Sequence, residues 1–181
     1  MLRAVLKPFY EKFGRRYDYN VDYMVAMDEA SPGILSKMAL MNALSNHQKV
    51  APVPAYYLAK LAATQHYDCG PCLRLVCNMA IEAGVSNKHI VSALGSSTDL
   101  PDDLALVVAY TKAVVTQDHE QLATLHEAMQ QHYSPGAMAE ISLAIAFGGF
   151  YPTMKRALGA ATACEPVVAE LQSELGKASL A

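Results

Sequence analysis

Charge is scarce in this sequence and nearly balanced: 17% of the 181 residues are Asp, Glu, Lys or Arg, and the net charge is −3. Nucleic acid is thereby excluded as the main partner, because binding to a phosphate backbone is driven by counterion release against a basic excess. Long uncharged apolar runs are also missing. Nothing approaches the roughly 18 to 20 residues that span a bilayer, and Lys7 and Pro8 interrupt the apolar stretch that a secretory leader would need. Alternating runs of β-branched residues between hairpin turns do not occur, so no sheet is expected. Cysteine is sparse as well. The four, at 69, 72, 77 and 164, are too few and too unevenly spaced for a secreted disulfide scaffold. A chain of the reducing cytoplasm is the expectation.

What the sequence does have is apolar mass. Hydrophobic residues make up 52% of it, enough for one sizeable core at this length. No Gly/Ser-rich or charged linker and no tandem repeat divides it, so a single domain over 1–181 is expected. Charge is uneven only at the start, where Arg3, Lys7, Lys12, Arg15 and Arg16 against Glu11 give residues 1–16 a net +4 and leave −7 elsewhere. With Leu2, Val5, Leu6, Phe9, Tyr10 and Phe13, this segment reads as a short basic amphipathic arm, weakened as a helix by Pro8. Packing on its own domain or on a sister chain is the expected role of residues 1–30; a membrane surface is the alternative for 1–16.

Helical spacing dominates the rest. Ser31 and Pro32 form a cap-then-proline start for a helix over 31–46, with Ile34, Leu35, Met38, Met41 and Leu44 on one side. A second is predicted over 55–66, where Tyr57, Leu58, Leu61 and Ala62 repeat at three and four. Asp68 is placed to cap the next, whose stripe of Leu73, Val76, Cys77, Ala80 and Ile81 ends at Gly84. Ser86 caps a short helix ending at Gly95, and Asp99 or the adjacent serines start one over 101–116. Asp118 caps another to His132. Ser134–Pro135 opens a long apolar stretch, loosened at Gly148–Gly149 and interrupted at Pro152, and a last helix runs over 166–175. The fold class is all-α.

Chemistry concentrates at Cys69-Gly70-Pro71-Cys72. On a helix these cysteines lie about 60° apart around the axis and about 4.5 Å along it, so both sulfurs share a face and can close a disulfide. The helix N-terminus favours a thiolate, whereas the Asp68 carboxylate opposes one, leaving the net shift unsigned. Two rival chemistries fit less well. The tetrapeptide is that of thioredoxin, but there it follows a β-strand, whereas here an alanine-rich helix precedes it and no tryptophan stands anywhere in the chain. A zinc site from His66, Cys69, Cys72 and Cys77 or Cys164 lacks the second separated ligand pair of a strong zinc signature.

The run Asp68-Cys69-Gly70-Pro71-Cys72, followed by Met79 to Gly84 and by the Val85-Ser86-Asn87-Lys88-His89-Ile90 cap and helix, resembles the carboxymuconolactone decarboxylase/alkyl hydroperoxidase D (AhpD-like) superfamily. The segments Leu100 to Val115 and Ser134 to Leu158 resemble its later helices, and the likeness covers about residues 30–160. The resemblance implies an all-α domain assembling into trimers or hexamers, acting without a bound cofactor or metal. It implies Cys72 as the thiol that attacks a hydroperoxide and Cys69 as the one that resolves it. The superfamily's relay histidine, four residues after the second cysteine, corresponds to Val76, and its glutamate, twelve before the first, to Tyr57. This chain departs from the pattern at both.

His66 and Tyr57 are the candidate substitutes, one as a base and the other as a hydrogen-bond donor, each set against an ordinary surface or core role. Gln65 offers only a neutral hydrogen bond, and Arg74, about 200° around the helix from Cys72, faces solvent or a partner. Cys77 reads as a buried inert thiol, Cys164 as a thiol near a helix junction, Glu140 as an exposed carboxylate, and the nine methionines as core filler. The expected function is thiol–disulfide redox exchange with weak peroxide reduction, drawing electrons from a protein or small-thiol reductant. A non-catalytic oligomeric scaffold or small-molecule binder is the alternative. Lactone decarboxylation ranks last, because the superfamily's decarboxylating members do not rely on a CxxC.

Overall fold

The computed structural model describes residues 2–95, 99–161 and 165–178. They form ten α-helices: α1 (Leu2–Tyr17), α2 (Asp22–Ala30), α3 (Ile34–Ser45), α4 (Val53–His66), α5 (Gly70–Glu82), α6 (Asn87–Leu94), α7 (Asp102–Thr116), α8 (His119–His132), α9 (Pro135–Ala157) and α10 (Glu165–Ala178). No strand occurs among the described residues, and none of their helices is long and apolar enough to cross a membrane.

The centre is α4. Nine of its fourteen residues, Ala55, Tyr56 and Leu58 to Thr64, are buried. A helix apolar on all sides must be surrounded, and α4 packs most extensively on α9, then on α7, α5 and α6. The alanines permit close approach. A Cβ placed on Gly148 of α9 would lie 2.6 Å from the Ala63 Cβ and 2.9 Å from the Lys60 carbonyl oxygen, so only glycine fits there. The helix therefore continues through Gly148–Gly149 and Pro152, contrary to the expected break. Pro152 lacks an amide hydrogen, but it is buried, and packing outweighs the lost bond.

Residues 2–30 build two helices. Pro8 lies inside α1, and α2 was not marked by periodicity. Tyr10, Tyr19, Val21, Met24, Leu35 and Met38 form a second apolar cluster, which reaches α5 through Leu75 and α9 through Tyr151 and Met154. The arm thus lies on its own chain. Its end is tied down where the Tyr17 hydroxyl and the Arg16 guanidinium donate to Glu82 and the Asn78 amide donates to the Tyr17 carbonyl at 3.3 Å.

Caps at Ser86, Asp118 and Ser134 accept the amides of His89, Gln121 and Ala137, as predicted. Others differ. Ser31 closes α2, and α3 starts from Gly33 at φ 99°. The buried Asp28 carboxylate supplies that start, accepting the amides of Gly33 at 3.0 Å and Leu35 at 3.1 Å. Helix α7 begins from Pro101 with no side-chain cap, so Asp99 does not serve as one. Glu140 is buried rather than exposed, and its carboxylate accepts the amides of Lys49, Val50 and Ala51 at 2.8 to 2.9 Å. Burial pushes its pKa up, but these three bonds and His47 outweigh that and hold it below the ordinary value. The Gly84 position at φ 89° ends α5 where the sequence placed the stop.

The α4–α9 contact predicts a measurable cost. Gly148→Ala should lower stability by about 1 to 3 kcal/mol, because the added methyl forces the two helices apart although alanine favours helix. The urea midpoint measures it; an unchanged or raised midpoint would show that the helices do not meet so closely.

A candidate thiol–disulfide site at the start of α5

The junction between α4 and α5 spans only three residues. Tyr67 ends α4, and Asp68 takes a left-handed φ of 48°, a conformation aspartate tolerates better than most residues. The Arg156 guanidinium, from the last turn of α9, donates to the carbonyls of both Tyr67 and Asp68. Cys69, rather than the expected Asp68, stands at the N-cap of α5, in an extended conformation. The Cys69 carbonyl accepts the amide of Leu73 at 2.9 Å, and Pro71 occupies the first turn, where no amide donor is needed.

Cys69 and Cys72 are joined as a disulfide with Cα atoms 5.3 Å apart. Both are buried, at 0% and 3% exposure. Cys72 also forms part of the wall of a cavity of about 50 Å³, enough for a few waters or a small molecule. Four parts of the chain close it around α5: Tyr10, Phe13, Tyr19 and Met24 from the first segment, residues of α3, Lys60 and Thr64 of α4, and Phe147, Gly148, Tyr151 and Pro152 of α9. No Asp or Glu among the described residues lines it.

Most of its polar groups can donate a hydrogen bond. The Tyr19 hydroxyl is 3.9 Å from the Cys72 sulfur and 3.2 Å from the Tyr23 hydroxyl. The Tyr10 hydroxyl is buried with no hydrogen-bond partner. Lys60 donates to the Ser45 carbonyl at 2.6 Å and to its hydroxyl at 2.9 Å, with its ammonium 5.4 Å from the centre of the Tyr56 ring. Burial lowers the Lys60 pKa to about 8. Lys155 lies beside the cavity with its ammonium over the rings of Tyr19 and Tyr23, and burial lowers its pKa too.

Of the residues singled out from the sequence, Cys69 and Cys72 are brought together and Val76 joins the cavity wall. His66 is exposed at the end of α4, its ring edge-on to Tyr67. Tyr57 is half-buried, edge-on to Tyr56, and burial and then Tyr17 raise its pKa. Gln65 donates to the Leu94 carbonyl, and Arg74 pairs with Glu170 and Glu174 of α10. Cys77 is a buried thiol outside the disulfide, and Cys164 lies outside the described residues. Among the described residues no three His, Cys, Asp or Glu side chains converge as a metal site.

Sequence reasoning missed Tyr10, Tyr19, Lys60 and Lys155. Lys60 left a signal, a lone cation between Ala59 and Leu61 in an apolar helix. The tyrosines left none, since Tyr19 lies 53 positions from Cys72. Comparison with family models, with curated proteins and with solved structures found no match.

The buried amine predicts a pH dependence. The lysine pKa is 10.5 before burial and about 8 in the fold, so between these values the unfolded chain holds the extra proton and stability rises with pH. Other groups titrate in the same range, so the Lys60→Met variant isolates this one. The stability of the wild type relative to that variant should climb by on the order of 2 kcal/mol between about pH 7 and 9.5. Urea titrations across that range test it; a flat difference would show that the amine is not desolvated.

Proposed function

We propose that this chain is a thiol–disulfide redox protein of AhpD-like type, in which Cys69 and Cys72 cycle between dithiol and disulfide. The observation that carries the reading is the closure of the pair at the N-terminus of α5 with Cys72 on a cavity wall. A helix N-terminus favours the thiolate, which is the nucleophilic form. With a hydroperoxide, the Cys72 thiolate attacks the terminal oxygen, giving a sulfenic acid and an alcohol. The Cys69 thiol then displaces water to form the disulfide, and a thiol reductant reopens it.

Peroxide turnover is slow in this reading. Val76 stands where the superfamily has its histidine and Tyr57 where it has glutamate, and positioned acid–base groups contribute roughly 100- to 10,000-fold. Complete burial of Cys69 favours a second reading, in which the disulfide is a latch in a non-catalytic scaffold. The superfamily likeness also leads us to propose self-assembly into a trimer or hexamer, for which exposed Phe9, Leu40, Val50 and Leu158 offer apolar surface.

Mass spectrometry after mild peroxide should recover a 69–72 disulfide, and Cys69→Ser or Cys72→Ser should each abolish it. A reduction potential between roughly −200 and −280 mV fits exchange with cellular dithiols, whereas one below about −300 mV favours the latch. Peroxide turnover should rise with pH toward the thiol pKa and increase in Val76→His combined with Tyr57→Glu. A fast wild-type rate with a plateau near neutral pH would overturn the assignment of a missing relay. Sedimentation that finds only the 19.5 kDa monomer at micromolar concentration would overturn the assembly.

A further inference from the structure

The residue four places after Cys72 is Val76, which is 7% exposed and has no proton to give. The polar group against the Cys72 sulfur comes instead from the connection between α1 and α2. Tyr19 is 5% exposed and lies with its hydroxyl 3.9 Å from that sulfur, while the Tyr23 hydroxyl stands 3.2 Å from Tyr19. The sense of these bonds follows from the chemistry of the groups. A disulfide sulfur carries no hydrogen and can only accept, so the single Tyr19 proton points at Cys72. The Tyr19 oxygen is then left to accept the Tyr23 proton.

The Lys155 ammonium sits 4.8 Å from the centre of the Tyr19 ring and 5.1 Å from that of Tyr23. A cation over the ring faces orients both phenols and strengthens their O–H groups as donors. Burial raises the pKa of each phenol, which keeps both protonated. The other titratable groups lining the cavity are the phenols of Tyr10 on α1 and Tyr151 on α9 and the amine of Lys60 on α4, the last engaged by Ser45. No carboxylate among the described residues lines the cavity to compete for the Tyr19 proton.

We propose that Tyr19 is the hydrogen-bond donor that stabilises the Cys72 thiolate, and that Tyr23 and Lys155 are positioning residues that aim it. The proposal deepens the redox reading of the pair and rests on it. When the thiolate of a small-molecule thiol attacks the Cys72 sulfur on the cavity wall, a mixed disulfide forms and the Cys69–Cys72 bond breaks with its electron pair on Cys69, which takes up a proton. A second reductant thiolate then attacks the reductant sulfur of the mixed disulfide and Cys72 leaves as a thiolate. The Tyr19 O–H meets that charge. Two reductant thiols have become one disulfide, and their two electrons and two protons have passed to the pair. A thiolate draws the phenol closer than a neutral disulfide sulfur does, because charge-assisted hydrogen bonds are shorter and stronger. Tyr19 thereby makes the two sulfurs unequal: Cys72, held by the arm, is the more acidic thiol.

The test is the titration of Cys72 in the full chain carrying Cys69→Ser, read as ultraviolet thiolate absorbance after subtracting Cys69→Ser combined with Cys72→Ser. In that background Tyr19→Phe should raise the midpoint by about one pH unit, the worth of a hydrogen bond to a charged group. Lys155→Met should raise it by less, and Lys155→Arg should restore it. Tyr133→Phe, which removes the hydroxyl bonded to the Asp103 carbonyl, should leave it unchanged. An unmoved midpoint in Tyr19→Phe with intact circular dichroism overturns the proposal. If Tyr19→Phe fails to fold, Tyr23→Phe and Lys155→Met decide, and no shift in either overturns it. The two readings fail separately: a pair that cycles while Tyr19→Phe changes nothing sinks this inference alone, and a midpoint that moves in a pair that never cycles sinks the redox reading alone.

Discussion

The close approach of α4 and α9 is the contact on which the remaining architecture depends. Glycine at 148 against Ala63 lets two backbones meet where any side chain would hold them apart. Once they meet, Lys60 and Thr64 of α4 and Phe147 and Tyr151 of α9 face a common space. Lys155, two turns past Gly148, reaches the arm, and Arg156 reaches back to the carbonyls at the end of α4. The junction carrying the cysteines is thus positioned from both sides: α4 delivers it, and α9 holds it.

Several buried polar groups do the work of caps and struts in this fold. Glu140 of α9 gathers three consecutive amides from the segment before α4, and Asp28 of α2 gathers two at the start of α3. Each satisfies donors that would otherwise be costly to bury. Lys60 and Lys155 are different. Both are buried, and both lie against tyrosine rings. Their depressed pKa values reflect the cost of keeping a cation there. Lys60 lines the cavity whose wall carries Cys72, and Lys155 stands over the rings of Tyr19 and Tyr23 beside it.

Much of this was legible in the chain. The apolar residues at three and four, the Ser and Asp caps, and the absence of strand patterns yield the helical class and most helix boundaries, because these features depend on neighbours within a turn. The same local logic placed the CxxC at a helix start and buried Cys77 in its stripe. It failed where a distant contact overrides local preference. Gly148, Gly149 and Pro152 read as a break because isolated helices break there, yet packing on α4 carries α9 through. Glu140 read as exposed because a lone carboxylate usually is, and only the fold brings three free amides to it.

Sequence alone determined that this is a helical chain with a reactive-looking pair at the start of one helix. What surrounds that pair was decided by the tertiary structure. The arm reads as a basic amphipathic segment with Tyr10 among its apolar residues, but nothing in it ties Tyr19 to the cysteines. Folding brings Tyr19 to Cys72 across 53 residues because the apolar face of the arm needs cover, and Leu75, Tyr151 and Met154 supply it. Burial of that face is a property of surfaces far apart in the chain, and no local pattern encodes it.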